Sequence, residues 1–185
     1  MKIVPTFTRA LLAPAAGGLL VLIGCATPGG SLTAADNSMM QDFRAYKAAW
    51  NNHDVPALVE YYGENGTYTN PGTGKLSGKA FGQWVGGLFT AIPDFKVKVV
   101  SADPLDDDTL AKQWVITGTW TKPFPGGPLA GKKATGKSFT VPGAEFQDWS
   151  DGTIESVNAY YDQMALLTQI GVIPPPDQSA PASAK

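Results

Sequence analysis

The first half of the folded region has the apolar periodicity of helices, with residues repeating at a spacing of three to four. The stripe of the first predicted helix, in SMMQDFRAYKAAWNN, consists of Met39, Met40, Phe43, Tyr46, Ala49 and Trp50. A second helix is predicted in HDVPALVEYYG, where Asp54 is a favourable N-cap, Pro56 is tolerated in the first turn and Gly63 ends the helix. After a turn, a short strand and another turn, SGKAFGQWVGGLFTAIPD predicts a third helix.

The second half alternates apolar and polar residues, as strands do. Four long strands are predicted in DFKVKVVSADPL, TLAKQWVITGTWTK, GKKATGKSFTVPGAEFQDW and GTIESVNAYYD, with a bulge at Pro142-Gly143 and a tight hairpin at Asp151-Gly152. A short helix, DQMALLTQIG, closes the domain. Helices segregated from a meandering antiparallel sheet indicate an α+β fold. A curved sheet covered by helices on one side leaves a concave cavity, and such pockets usually hold small molecules.

The two ends of the chain have the composition of processing and linker segments. Residues 1–24 combine a basic start with a short apolar stretch broken by Pro14, which is too short for a stable membrane span and is typical of a secretory signal. The segment ends in LIGC, which resembles a bacterial lipoprotein signal, with Cys25 as the lipidated residue; an ordinary secretion signal is the alternative. Residues 25–37 read as a flexible tether, 38–173 as one domain, and 174–185 as a disordered Pro/Ala-rich tail.

Composition excludes several classes of function. Removal of residues 1–24 takes away Lys2 and Arg9 from the 14 basic residues and none of the 16 acidic ones, so the mature chain has a formal charge of −4. With this balance and no basic run, we expect no nucleic-acid partner. The chain has one cysteine and one histidine, which argues against an intramolecular disulfide, a zinc site and a Ser-His-Asp or Cys-His arrangement.

Four segments together resemble the SnoaL-like ester cyclases (polyketide cyclases) of the NTF2-like superfamily, over roughly residues 38–171. They are AAWNNHDVPALVEYYGENGTYTNP, FTAIPDFKVKV, GTWTKPFPGGPLAGKKATGKSFTVPGAEF and DGTIESVNAYYDQMALLTQIG. The resemblance implies a cone-shaped, curved antiparallel sheet covered by three N-terminal helices, with a deep apolar pocket. It also implies an intramolecular aldol ring closure, catalysed by an aspartate without metal or organic cofactor. The matching aspartate is Asp162.

Two interpretations of Asp162 remain open from the sequence. As the N-cap of the last helix, it would satisfy a local structural need. Alternatively, because Asp162 shares strand parity with Tyr160, Asn158 and Ile154, it lies on one face with them, and that face could line the pocket. An apolar pocket would raise the pKa of the Asp162 carboxyl toward neutrality, as suits a general acid/base.

Two further residues are candidates for catalysis, each with a structural alternative. His53 is the only histidine, but it stands directly before the cap residue Asp54, where a local structural role is the simpler explanation. Asn70 precedes Pro71 at a strand end, where turn chemistry explains it. Its amide could also point into the pocket and hold an enolate oxygen.

Aromatic and polar side chains supply the candidate substrate-binding residues, although core packing is the simpler role for each aromatic one. The candidates are Tyr46, Trp50, Trp84, Trp114, Trp120, Asn158 and Tyr160. At position 120 the chain differs from the family: it has a tryptophan after the Gly-Thr pair, where the family often has a histidine. The loop PFPGGPLAGK is expected at the cavity mouth, as a lid or an ordinary connection.

Three functions therefore compete. An enzyme would bind a hydrophobic carbonyl compound, and a buried Asp162 would move a proton beside the carbonyl in cyclisation, isomerisation or dehydration. A non-catalytic binding protein, anchored at Cys25 in the bacterial cell envelope, would have an apolar cavity and an Asp162 turned toward its own helix. A scaffold would have no cavity and would dimerise through its sheet face; the superfamily resemblance also makes a homodimer plausible for the other two.

Overall fold

The structure, a computed structural model, describes residues 34–175. The predicted signal segment, Cys25 and most of the predicted tether and tail lie outside these residues. The last part of the predicted tether, from Ala34, belongs to the first helix instead. The helices are α1 (Ala34–Asn52), α2 (Val55–Tyr62), α3 (Gly78–Ala91) and α4 (Gln163–Gln169). The strands are β1 (Thr67–Asn70), β2 (Gly74–Ser77), β3 (Lys96–Pro104), β4 (Thr109–Thr119), β5 (Ser138–Ser150) and β6 (Thr153–Tyr161).

The six strands form one sheet in the order β2-β1-β6-β5-β4-β3. Neighbouring strands are antiparallel, except that β1 runs parallel to β6. The first three helices cover the inner face of this sheet and bury the core between the two layers. The α+β architecture with a curved, mainly antiparallel sheet is confirmed.

Local sequence signals determine the ends of several elements. Asp54 caps α2 by accepting a hydrogen bond from the backbone N–H of Ala57 at 3.1 Å, and Gly63 ends the helix with a φ of 52°. Asp151 and Gly152 join β5 to β6 with φ values of 48° and 77°. A two-residue hairpin in which both central residues have positive φ suits an Asp-Gly pair, as predicted.

The predicted bulge at Pro142-Gly143 is wrong, because β5 pairs with β4 in continuous register through both residues. Thr140, two residues earlier, turns its backbone N–H and carbonyl toward the Gln169 side chain of α4. Alternate residues of a strand point their backbone groups to the same side, so the nitrogen of Pro142 also faces away from β4. The proline therefore removes no hydrogen bond between these two strands.

The irregularity lies instead in β6. Asp148 pairs with Ser156 and the next residue, Trp149, pairs with Ile154, which leaves Glu155 as one extra residue in β6. A bulge of this kind shifts the alternation of side chains by one position. Ile154 is therefore buried on the inner face with the odd-numbered residues that follow the bulge, Val157 and Ala159.

Candidate functional site

A cavity of about 100 Å³ lies between the helices and the inner face of the sheet. Its aromatic lining consists of Trp50, Tyr68, Trp84, Phe95, Trp114, Phe124, Phe139 and Tyr161, and its aliphatic lining of Leu88, Ile92, Val97, Ile116, Leu129, Leu166 and Ile170. Among the residues that the structure describes, three more line it: Asn70, Lys112 and Glu145. The result is an apolar cavity with a small number of polar groups, as in most small-molecule sites.

Lys112 and Glu145 form an ion pair in the wall of this cavity. They are opposite each other in the register of β4 and β5, and both side chains point inward. The Nζ atom of Lys112 lies 2.6 Å from Oε1 of Glu145, and the residues are only 4% and 5% exposed. Burying two charges is costly unless they are paired, so each residue here requires the other.

A short hydrogen-bond chain fixes the orientation of the Glu145 carboxylate. The indole Nε1 of Trp149 donates to Oε1 of Gln147 at 3.1 Å, and Nε2 of Gln147 donates to Oε1 of Glu145 at 2.5 Å. Gln147 is fully buried. Lys112 and Gln147 therefore both bind the same oxygen of Glu145, Oε1.

Trp114 lines the cavity with an unpartnered donor. Its indole nitrogen is buried and has no acceptor among the described residues. The ring lies over Gly143, the register partner of Trp114 on β5, where a Cβ atom would come within 2.4 Å of Cη2. Glycine at this position therefore permits the indole to lie flat against the sheet and form the cavity wall.

Two tyrosines of the cavity lining, Tyr68 and Tyr161, carry hydroxyl groups. Burial, with the charge of Glu145 as a smaller cause, raises the pKa of Tyr68 well above its usual value, so its hydroxyl remains a neutral donor. Burial also raises the pKa of Tyr161, to about 12, and its hydroxyl donates to Oδ1 of Asn70 at 3.4 Å.

Asn70 lines the cavity, but its amide is used in the turn between β1 and β2. Its Oδ1 accepts hydrogen bonds from the backbone N–H groups of Gly72 and Thr73 at 2.8 and 3.1 Å. Its Nδ2 donates to Oγ1 of Thr73 at 2.7 Å. The structure thus supports the turn interpretation of Asn70.

The expectation that Asp162 faces the pocket is wrong. The Asp162 side chain is exposed, is not among the cavity-lining residues, and accepts a hydrogen bond from the backbone N–H of Ala165 at 2.8 Å. It is the N-cap of α4. Its chain neighbour Tyr161 is the residue that lines the cavity, because the bulge at Glu155 reverses the expected parity of β6.

The same change of parity corrects two predicted substrate-binding residues. Asn158 and Tyr160 lie on the outer face of the sheet, where Tyr160 is 59% exposed and packs its ring edge against Phe146 at a centroid distance of 6.4 Å. Neither residue reaches the cavity. A bulge that has no glycine or proline in it leaves no signal in the sequence, so the parity of β6 could not be read from it.

Three other candidates lie in the structural framework. His53 has a φ of 58°, stacks on Phe89 at 4.1 Å, and places Nε2 2.8 Å from the carbonyl of Phe95, outside the cavity. Tyr46 is buried in the core, with its hydroxyl 2.7 Å from that of Tyr62. Trp120 is buried too, and its Nε1 donates to the carbonyl of Lys122.

Trp50, Trp84 and Trp114 do line the cavity, as predicted, whereas the sequence reasoning missed Lys112 and Glu145. Their signal was present in the alternation of the strands. Lys112 has the parity of Trp114 in TLAKQWVITGTW, and Glu145 lies two residues from Gln147 and four from Trp149. The ion pair of Lys112 and Glu145 could have been identified from this pattern, in which adjacent strands each place one charged residue, of opposite sign, on the inward face.

A second depression, of about 360 Å³, lies outside the cavity. Its walls come from the β1–β2 turn, from α3, and from the loop that contains PFPGGP. Trp84 and Phe124 border both spaces, so they separate the cavity from this outer groove. The loop predicted at the cavity mouth therefore does supply part of the wall, through Phe124 and Leu129.

Within residues 34–175, no group of three or more histidine, cysteine, aspartate or glutamate side chains is placed to hold a metal ion. Over the same residues, no helix is both long enough and apolar enough to cross a membrane.

The family model for SnoaL-like polyketide cyclases matches residues 41–170. The chain belongs to the SnoaL-like polyketide cyclase family. No curated protein sequence matches it significantly. Together with the cavity, the family makes this a small-molecule-binding NTF2-like protein.

Solved structures of low sequence identity have the same fold. A SnoaL-like polyketide cyclase from Jannaschia sp. CCS1 superposes with a TM-score of 0.67 at 17% identity, over 79% of this chain and 100% of that one. AclR of Streptomyces galilaeus, described as a hydroxylase, superposes with a TM-score of 0.63 at 20% identity, over 75% of this chain and 98% of that one. An LEH-like epoxide hydrolase from M. tuberculosis superposes with a TM-score of 0.57 at 13% identity, over 72% of this chain and 90% of that one.

Proposed function

We propose that the protein binds one small, largely apolar carbonyl compound in the cavity, without converting it. The observation that carries the proposal is the cavity itself, an apolar space with an unpartnered indole N–H in its wall. A buried donor without an acceptor is unfavourable, and a ligand oxygen at Trp114 would supply the missing acceptor. The position of Asp162 supports binding over chemistry, because its carboxylate caps its own helix.

The size of the cavity limits the ligand. An engineered protein cavity of about 150 Å³ binds benzene, so the roughly 100 Å³ here suits a molecule of about one ring or a short chain. A molecule of several fused rings would have to extend past Trp84 and Phe124 into the outer groove. The preferred ligand is therefore smaller than a multi-ring aromatic polyketide.

Binding can be tested with single-ring probes and the described domain, residues 34–175. We expect toluene and cyclohexanone to bind saturably in calorimetry, and cyclohexanone alone to move the indole N–H resonance of Trp114 in a proton–nitrogen correlation spectrum. Trp114→Phe should lower the affinity for cyclohexanone about tenfold, which is the range of one hydrogen bond. It should leave the affinity for toluene nearly unchanged.

Trp120→Phe is the matched control, because Trp120 is equally buried but lies outside the cavity. It should leave the affinity for both probes unchanged. The absence of saturable binding of either probe to the wild-type domain would refute the proposed function.

Acid/base catalysis is the second candidate function, and family membership is the observation that favours it. In this hypothesis the ligand undergoes cyclisation, isomerisation or dehydration, and Asp162 would have to leave its hydrogen bond with Ala165 to act as the acid/base. Native mass spectrometry of wild-type protein and Asp162→Asn, after incubation with extract of the host, separates the two functions. An unaltered precursor trapped only by the variant would establish catalysis, and the same compound on both proteins would establish binding.

We also propose that Cys25 is lipidated and holds the domain at the outer side of a bacterial membrane. The motif LIGC at the end of an apolar stretch supports this. Metabolic labelling with a radioactive fatty acid should mark the full-length protein and not Cys25→Ser. Equal labelling of both proteins, or labelling of neither, would refute the anchor.

A further inference from the structure

We infer that the cavity selects a neutral ligand in which a hydroxyl group stands beside a carbonyl, with Glu145 accepting from the hydroxyl and Trp114 donating to the carbonyl. This inference rests on the proposed function and names the class of ligand. Glu145 and Trp114 would contact the ligand directly. Lys112 would act as a positioning residue, through its ion pair with Glu145.

The ion pair leaves the lining of the cavity without net charge. The ammonium of Lys112 and the carboxylate of Glu145 lie 2.6 Å apart and neutralise each other inside an otherwise apolar cavity. A ligand that carried a net charge would lose its hydration and meet no unpaired counter-charge there. The cavity therefore favours a molecule that is neutral at physiological pH.

The Glu145 carboxylate is held through one of its two oxygens. Lys112 and Gln147 both donate to Oε1 of Glu145, and Gln147 is itself fixed by the indole of Trp149. The carboxylate is thus held in one orientation. The ion pair and the Gln147 hydrogen bond both use Oε1, and the inference assigns the other oxygen, Oε2, to a ligand in the cavity that Glu145 lines.

Glu145 and Trp114 are close enough for one small ligand to contact both. Glu145 pairs with Lys112 and Gly143 pairs with Trp114, so Glu145 and Trp114 are diagonal neighbours on the inner face. Such neighbours lie roughly 7–8 Å apart, within reach of long side chains. A donor and an acceptor on adjacent ligand atoms can therefore bind both residues at once, as in an α-hydroxyketone.

The test compares three probes built on one six-membered ring: 2-hydroxycyclohexanone, cyclohexanone and cyclohexanecarboxylate. Calorimetry on the described domain should give an affinity for the hydroxyketone at least about tenfold higher than for the ketone, the value of one hydrogen bond to a charged acceptor. The carboxylate, although it has the same ring, should bind at least about tenfold more weakly than the ketone, because it is charged.

The double variant K112M/E145Q reverses the polarity of the group at position 145. Gln147 donates toward position 145, so it should hold the oxygen of the new amide and turn the amide N–H₂ toward the cavity. The hydroxyketone should then lose its advantage over the ketone. Glu155→Gln, the same change at an exposed position, should retain it.

Trp114→Phe provides a second test that leaves the ion pair intact. It should lower the affinities for the hydroxyketone and for the ketone by the same factor, about tenfold, so that the ratio of the two affinities is preserved. Wild-type protein that binds both ketones equally, or a K112M/E145Q variant that keeps the preference, would overturn the inference while the proposed function stood. Preference for the carboxylate would overturn it too. Failure of every probe to bind would overturn both.

Discussion

At the scale of single residues, Lys112 and Glu145 show how strongly the free energy of burying a charge depends on its counter-ion. Each side chain is nearly inaccessible to water, and each has the other as its counter-ion. Removal of one partner leaves a buried charge uncompensated, whereas removal of both charges can be neutral or even stabilising. The pair should therefore behave as a unit in unfolding experiments.

Lys112→Met should lower the free energy of unfolding by about 3–5 kcal/mol, because the Glu145 carboxylate loses its counter-ion. K112M/E145Q should recover most of that loss, since the amide is neutral and still accepts from Gln147. Urea unfolding of the two variants measures the difference. A double variant no more stable than Lys112→Met would contradict this account of the pair.

Asp162 should contribute to stability as a helix cap. Asp162→Ala removes the acceptor of the Ala165 N–H and should cost about 1 kcal/mol, whereas Asp162→Asn should cost little because asparagine caps equally well. Thermal unfolding of both variants tests this. Equal losses for alanine and asparagine would show that the charge matters, rather than the cap.

The sequence identified some of the cavity residues and not others, for a physical reason. Trp50, Trp84 and Trp114 were found because large aromatic residues on an apolar stripe or strand face are buried somewhere in the core. Lys112 and Glu145 were missed because charged residues normally face water, and only the cross-strand register places these two against each other.

At the scale of elements, the bulge in β6 decides which side chains enter the cavity. Glu155 adds one residue, so Tyr161 lines the cavity while Tyr160 lies outside it. A slip of one position in a strand exchanges its two faces. The sequence predicted the strand and its hairpin, but the extra residue becomes visible only in the pairing with β5.

Gly143 offers a test of how β5 supports Trp114. Gly143→Ala places a Cβ within 2.4 Å of the indole, so the ring must move into the cavity. We expect a loss of about 1–3 kcal/mol from overpacking and weaker toluene binding. Gly86→Ala is the control, because a Cβ there meets nothing within 4 Å, and helix propensity should make it neutral or stabilising. Unchanged stability and binding in Gly143→Ala would show that the indole is not held by this contact.

At the scale of the whole molecule, the outer face of the sheet has an uncharged patch. The register of β4, β5 and β6 brings together Ala111, Gln113, Val115, Pro142, Ala144, Phe146, Asn158 and Tyr160. Phe146 is 46% exposed and Tyr160 is 59% exposed. Apolar surface of this kind is typical of protein interfaces, which supports the expectation, drawn from the family resemblance, of a homodimer.

Phe146→Lys should shift a dimer to monomers, because a charge in the centre of a self-complementary patch repels its copy and requires desolvation. Sedimentation velocity over a range of concentrations measures the change. Gln41→Lys, at an exposed position of α1, is the control and should leave the association unchanged. A wild-type domain that sediments as a monomer at every concentration would refute the dimer.

The sequence by itself determined the order of the helices and the four long strands, the cap at Asp54, the Asp151-Gly152 hairpin and, through four segments in order, the family. These features depend on periodicity and on local hydrogen bonds, which neighbouring residues specify. The tertiary structure alone decided which residues reach the cavity. That depends on the register between strands distant in sequence, where one extra residue in β6 turns Asp162 outward and the β4–β5 pairing brings Lys112 to Glu145.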